Sequence, residues 1–420
     1  MKTLRAATLG VLLFVSRGFA GDWTQWRGPE RTGHVPEGVA VPETLPADPK
    51  IIWHIKIGFG LSSPVVSEGK VFYSDAQGDR ETLHAVQAVD GKPLWQADID
   101  KVHSDSQSLP GPRCTPLAGG DRVYAQSCRG ELRCLKISDG KELWSVNYTT
   151  NFSAAFFGER GNAQGATRHG NDGSPAIDGD RLFAPVGGTN GESVVCFEKA
   201  TGKVIWKSQN DEASYAAPVV VTIDGTRQLV DFNADALLGL ALSDGKLLWR
   251  TPPLKTSFSR HVTTPVIIGE NIFVASQELG MMGFQLSHTG ADWGVTRSWQ
   301  SKDSAMNFSS PVAVGNYLYG LGPEKNFICV DGKTGKQAWS HAGYINTSAG
   351  QAHAAFIVMG KNILALTDGG ELVLFAADPT AFKEISIAQV CSKNWCNPAY
   401  ADGKLYLRDA HELYCVGLLP

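Results

Sequence analysis

The sequence predicts an all-β fold: an eight-bladed β-propeller of four-stranded antiparallel blades, its ring closed by an N-terminal strand. Three observations carry this expectation. A tag of turn residue, Gly, Lys and a following Trp recurs along the chain. A Pro-aliphatic opening recurs at intervals of 52, 59, 43, 47, 46, 44 and 43 residues. The last unit lacks its Trp-bearing segment, and one such segment stands unattached near the start.

The tag reads Asp90-Gly91-Lys92-Pro93-Leu94-Trp95, Asp139-Gly140-Lys141-Glu142-Leu143-Trp144 and Thr201-Gly202-Lys203-Val204-Ile205-Trp206. Asp244-Gly245-Lys246-Leu247-Leu248-Trp249 and Thr334-Gly335-Lys336-Gln337-Ala338-Trp339 continue it. Asp or Thr before Gly forms turns, and Gly supplies the positive φ of a tight hairpin. Adjacent side chains on a strand point to opposite faces. An aliphatic residue beside the Trp therefore predicts a strand buried on both sides.

Each unit opens at Pro64, Pro116, Pro175, Pro218, Pro265, Pro311 or Pro398, with Ala355 replacing Pro in the seventh unit. Proline at the start of a strand forfeits only one ladder hydrogen bond. A Gly turn follows, as at Gly69, Gly179 and Gly403, then a second strand, a third, the tag and the Trp strand. Four strands in a repeat of roughly 40–50 residues make a propeller blade. The eighth unit stops at Cys415-Val416-Gly417, after three strands. Ile51–Ile55 carries Trp53 with no unit before it. It is expected to supply the missing strand and remove the free sheet edges. Blade 5 reaches Trp299 through an insertion holding Trp293, and blade 7 has no Trp.

The 420 residues carry a net charge of −4, with 19% charged residues and 46 glycines. No basic patch interrupts this balance, so nucleic acid is not an expected partner. Residues 1–20 read as a signal peptide: Lys2 and Arg5, an apolar run from Ala6 to Val15, then Gly18-Phe19-Ala20. That run is too short for a membrane span, and no Cys follows it to be lipidated. Residues 21–50 form an extended lead-in and 51–420 the propeller. The expectation is a monomer that is periplasmic or secreted.

Cys134, Cys196 and Cys329 each lie six residues before a tag Gly, and Cys415 occupies the equivalent place. One repeated position on separate blades predicts free thiols at a small buried site. Cys391 and Cys396 are near enough in sequence to bridge a loop, and Cys114 and Cys128 form a second candidate pair.

With these elements in place, the chain resembles the pyrroloquinoline-quinone-type (PQQ-like) β-propeller repeat family over nearly all of residues 21–420. Trp26-Arg27-Gly28-Pro29 and Ala213-Ser214-Tyr215-Ala216-Ala217-Pro218 are similar to an exported bacterial branch. Its members are named for the quinone or described as BamB-like, after the propeller subunit of the outer-membrane barrel assembly machinery. The resemblance implies a non-enzymatic binding or protein-assembly scaffold. It implies, as the alternative, a quinone-dependent oxidoreductase with PQQ and calcium. The dehydrogenases' adjacent cysteine pair is missing here, and their calcium ligands and catalytic aspartate match no position. No residue role is carried over and no metal site is assigned.

A site is expected where each chain segment enters the first strand of a blade, two to six residues before the opening position. Arg113, His169, Asn171, Asp172, Tyr215, Arg260, His261, Asn307, His353, Asn394 and Trp395 stand there. Long loops at 96–111 and 145–171 overhang them, and loops on a rigid scaffold carry binding surfaces. Arginine suits carboxylates and aromatic faces suit sugar rings, so the rim fits a protein partner or an acidic or polyhydroxylated ligand. A lyase using Tyr215 or a rim His as base is a further alternative. Each residue also has an architectural reading: the histidines tying blades together, Arg113 or Arg260 pairing with Asp172, Tyr215 packing as a core aromatic.

Overall fold

Each Gly-Lys tag is the hairpin turn between the third and fourth strands of a blade. The computed structural model of the chain describes residues 21–104, 110–156, 166–167, 170–257, 261–290, 292–348 and 351–419. The expected signal peptide, His169 and Arg260 lie outside the described residues. Blade 1 is built from Val65–Ser67, Lys70–Gln77, Arg80–Gln87 and Pro93–Lys101, hydrogen-bonded in that order. Seven sheets repeat this antiparallel, sequential pattern. In the eighth, Ala399–Ala401, Lys404–Arg408 and Glu412–Gly417 are joined by Ile51–Lys56, which runs antiparallel to Glu412–Gly417 with His54 opposite Tyr414. The ring closes through the N-terminal strand, as the repeat count requires. The blade 5 insertion lengthens the third and fourth strands, Gly280–Thr289 and Asp292–Ser301, into one long hairpin.

The recurring cysteine position has a packing reason. Cys196 on the third strand of blade 3 stands opposite Phe183 on the second and Trp206 on the fourth. Cys134 separates Tyr124 from Trp144 in the same way, and Cys329 separates Tyr319 from Trp339. The flanking rings meet over the small residue, with centroids 5.8 Å apart for Phe183–Trp206 and 5.9 Å for Tyr124–Trp144. A larger third-strand side chain would push them apart. All four thiols are buried and free.

The expectation of a Trp strand buried on both sides is corrected. This strand is the outermost of its blade; Leu94, Leu143 and Ile205 beside the Trp are exposed, and Leu248 beside Trp249 is half-buried. Only the Trp side is covered, because the next blade's tag packs there. Trp95 Nε1 donates to the Ile137 carbonyl at 3.1 Å, Trp144 to Lys199 at 3.1 Å and Trp206 to Leu242 at 3.1 Å. Trp53 closes the ring by donating to Ala88 at 3.0 Å. A Cβ built on Gly140 would lie 2.6 Å from Trp95, and one on Gly202 would lie 2.7 Å from Trp144. The tag glycine thus serves both its turn, at φ 71° in Gly140 and Gly202, and the ring of the preceding blade.

The lead-in does more than connect. Trp23 exchanges two backbone bonds with Val66, at 3.0 and 2.9 Å, and Thr24 accepts from Ala118 N at 2.9 Å. Gln25 Oε1 accepts from Ile177 N at 2.9 Å, and Trp26 Nε1 donates to Thr264 Oγ1 at 2.8 Å. Arg27 reaches the Pro311 carbonyl, and Gly33 accepts from Val358 N at 2.8 Å. These partners lie on or immediately before the opening strands of blades 1, 2, 3, 5, 6 and 7, which line the central channel. Residues 23–35 therefore fill that channel as a plug.

Candidate functional site

The rim residues fall into three groups. In the first, Arg113 and Asp172 form a largely buried pair, with Nη1 to Oδ2 at 3.5 Å. Asn171 is buried beside them. Its backbone N donates to Cys128 O at 2.8 Å and its carbonyl accepts from Gln126 Nε2 at 2.8 Å. Glu81 lies in the same polar layer and accepts from the backbone N of His103 and of Cys128, each at 3.3 Å. Burial, with repulsion from Asp100 and Asp172, pushes its carboxyl up to about 7. The Arg113 charge is taken up by Asp172, as in its architectural reading.

In the second group, Tyr215 N donates to the His261 carbonyl at 3.0 Å. The His261 ring is fully buried, stacks on Phe232 with centroids 4.0 Å apart, and donates from Nε2 to Leu254 O at 2.8 Å. Burial draws its pKa to about 4. At neutral pH it is an uncharged core imidazole closed to solvent.

The third group spans blades 6, 7 and 8. Phe308, next to Asn307, packs on Trp395 with centroids 5.0 Å apart. His353 is buried, and desolvation lowers it to about 4. Asn394 Nδ2 donates to the Thr367 carbonyl at 2.9 Å. Asn394 and Trp395 line a cavity of about 490 Å³ with Gln351, Lys393, Asp409 and His411. The cavity wall is fixed from beneath. Arg408, 1% exposed, donates to Ser74 O and Gly58 O at 2.8 Å each. The Asp409 carboxylate accepts from His411 N and Glu412 N at 2.8 Å each.

Of the sequence-derived positions among the described residues, Asn394 and Trp395 line this cavity. Arg408, Asp409 and His411 lie outside the window ahead of each opening position, whereas Gln351 stands inside it, four residues before Ala355, and was not singled out. A signal existed. Arg408 occupies a second-strand position where blades 1, 2, 4, 6 and 7 carry the uncharged Ser74, Gln126, Phe232, Leu321 and Thr367, and a cation in an uncharged register needs a reason.

The suggested Cys391–Cys396 bridge is not made, and neither is Cys114–Cys128; all are free. Cys391 Sγ donates to Ser392 O at 3.3 Å, whereas Cys396 Sγ accepts from Arg408 N at 3.4 Å. The two sulfurs serve different partners on the cavity wall.

Two cations inside the channel complete the geometry. Arg27 and Arg31 are 4% and 2% exposed. Arg31 donates to Pro175 O at 2.6 Å and Ser174 O at 2.8 Å. Burial lowers Arg27 to about 10, and burial plus the nearby Arg27 charge lowers Arg31 to about 9. Both remain protonated at neutral pH.

Comparison with known proteins places this arrangement. The family model for the outer membrane protein assembly factor BamB matches residues 43–186 and 79–341, more than half of the 420 residues. BamB of Burkholderia pseudomallei is 24% identical over 48% of this chain and 46% of its own length. BamB of Shewanella oneidensis is 24% identical over 69% of this chain and 64% of its own. The chain thus spans less than two-thirds of either relative. BamB of Moraxella catarrhalis superposes with a TM-score of 0.56 at 14% identity, covering 88% of this chain and 97% of that one. The quinohemoprotein alcohol dehydrogenase ADHIIG of Pseudomonas putida HK5 gives 0.51 at 11% identity, covering 95% and 80%. Both structural likenesses are of fold. From the family match, the chain belongs to the family of the outer membrane protein assembly factor BamB.

Proposed function

We propose that the protein is a non-enzymatic, exported scaffold that works in the periplasm and offers the rim of blades 7, 8 and 1 to a protein partner. One observation carries the reading: the chain's own lead-in bonds the opening strands of six blades, so the axis of the ring is already occupied. The face left for recognition is the rim, where the cavity of about 490 Å³ lies between exposed Lys393 and half-buried Trp395. Family membership supports assembly as the setting. Buried His261 and His353, drawn to about 4, are poorly matched to base catalysis near neutral pH.

Photo-crosslinking in the cell envelope tests this. A crosslinker at Lys393 is expected to give a discrete protein adduct, and one at Leu94 on the outer wall to give none. Equal labelling from both positions, or none from Lys393, sinks the proposal. Titration with PQQ and calcium is expected to leave the quinone spectrum unchanged. A saturable new band would favour the oxidoreductase instead.

A further inference from the structure

We infer that the channel cavity beside Arg31, Thr32 and His34 binds a small oxyanion of the phosphate or sulfate type. Arg27 donates to the carbonyls of Thr32 and Pro311, and Arg31 to those of Ser174 and Pro175 and, at 3.5 Å, to Gln25 Oε1. All of these acceptors are neutral. Arg27 Nη1 and Arg31 Nε are buried and have no acceptor among the described residues. A buried charge is costly unless it is paired. Here two like charges share one channel, close enough that each raises the cost of the other. Carbonyl dipoles offset part of that cost and leave the net charge in place.

Space for a counter-charge lies alongside. A cavity of about 230 Å³ is walled by Arg31, Thr32 and His34 from the plug, and by Val220 and Ile267 from the opening strands of blades 4 and 5. At roughly 30 Å³ per water, it has room for a tetrahedral oxyanion with part of its hydration. Guanidinium N–H groups and a threonine hydroxyl are the donors such an anion uses. Two other charged side chains border the space. Arg227 is paired with Asp178, and Glu30 is exposed to solvent.

The test is calorimetric titration of the full chain with sodium phosphate, at constant ionic strength set by chloride. One saturable site is expected, with a matching rise in melting temperature. Sulfate should compete for it. The Thr32→Val, His34→Gln double variant leaves both arginines and their carbonyl bonds in place. It should melt at the wild-type temperature in chloride and bind phosphate at least five-fold more weakly. No saturable binding to the wild type, no competition by sulfate, or unchanged phosphate affinity in the folded double variant would each overturn the assignment.

Discussion

The junction between blades 3 and 4 and the junction between blades 4 and 5 bury the same side chain in different ways. At the first, Trp206 reaches across to the Leu242 carbonyl and lies over Gly245, where a Cβ would stand 2.5 Å from the ring. At the second there is no tag to receive the ring. Trp249 turns back to Gln228 Oε1 of its own blade at 2.7 Å, over Gly239. The long hairpin of blade 5 covers it instead, gathering Phe232, Trp249, Ile272, Phe284, Leu286 and Trp293 into one apolar cluster. What holds neighbouring blades is an aromatic ring excluded from water between them; the Gly-Lys tag is one way of making the seat.

The largest effect follows at the tagged junction. Trp206→Ala should cost about 3–5 kcal/mol, since the ring is 7% exposed and the Leu242 carbonyl loses one of its two side-chain donors, keeping Arg181. Denaturant unfolding measures this. A loss under about 1 kcal/mol would mean that the latch holds nothing.

The tagged side also carries a buried acid, on the strand face that Leu229 turns toward Trp206. Asp231, on the second strand of blade 4, is 2% exposed, and burial with Asp211 nearby pushes it from 3.8 up to about 7. Between those values the folded chain keeps a proton that the unfolded chain has lost, so this group's contribution to stability falls as pH rises. His261, drawn from 6.5 down to about 4, acts in the opposite sense, and its contribution grows as pH rises through that range. Asp231→Asn removes the falling term. Relative to wild type, its stability should gain about 1.4 kcal/mol per pH unit from pH 4 toward pH 7. Parallel pH profiles for the two proteins would show that Asp231 ionises normally.

A smaller difference separates two turn glycines. Gly245 and Gly290 both sit at positive φ, 74° and 64°, but a Cβ at Gly290 meets nothing within 4 Å. Gly290→Ala should cost only the left-handed backbone term, about 1 kcal/mol. Gly245→Ala adds displacement of the Trp206 ring and should cost about 1–3 kcal/mol more. Equal losses would mean that the tag glycine serves its turn alone.

These elements also mark how far the sequence can be read. Blade number, strand order, ring closure and the small third-strand cysteine site are repeated features, so each copy checks the others. The plug occurs once. Nothing local in Trp26-Arg27-Gly28-Pro29 says that its partners lie more than 200 residues away, at the Thr264 hydroxyl and the Pro311 carbonyl. The rim residues show a related limit. His261 and Asn394 are both polar residues four positions before an opening Pro, and only the packing around them seals one and sets the other on a cavity wall. Arg408 and Asp409 were overlooked because they belong to a second strand and its turn, where the repeat trains the eye to expect packing.

The smallest effect tests the corrected face of the fourth strand. Ile205 is the residue before Trp206, and it is 42% exposed where its neighbour is 7% exposed. If the outer wall is the solvent side, Ile205→Ser loses little burial and falls within the ±0.5 kcal/mol typical of surface changes. Any remainder should reflect the weaker strand preference of serine. Chemical denaturation resolves this against Trp206→Ala on one strand of one blade. A loss above about 2 kcal/mol would mean that Ile205 is covered in solution. Among the described residues that face is open, so such a loss would point to a further covering element, and a partner seated there would make the outer wall a second binding surface.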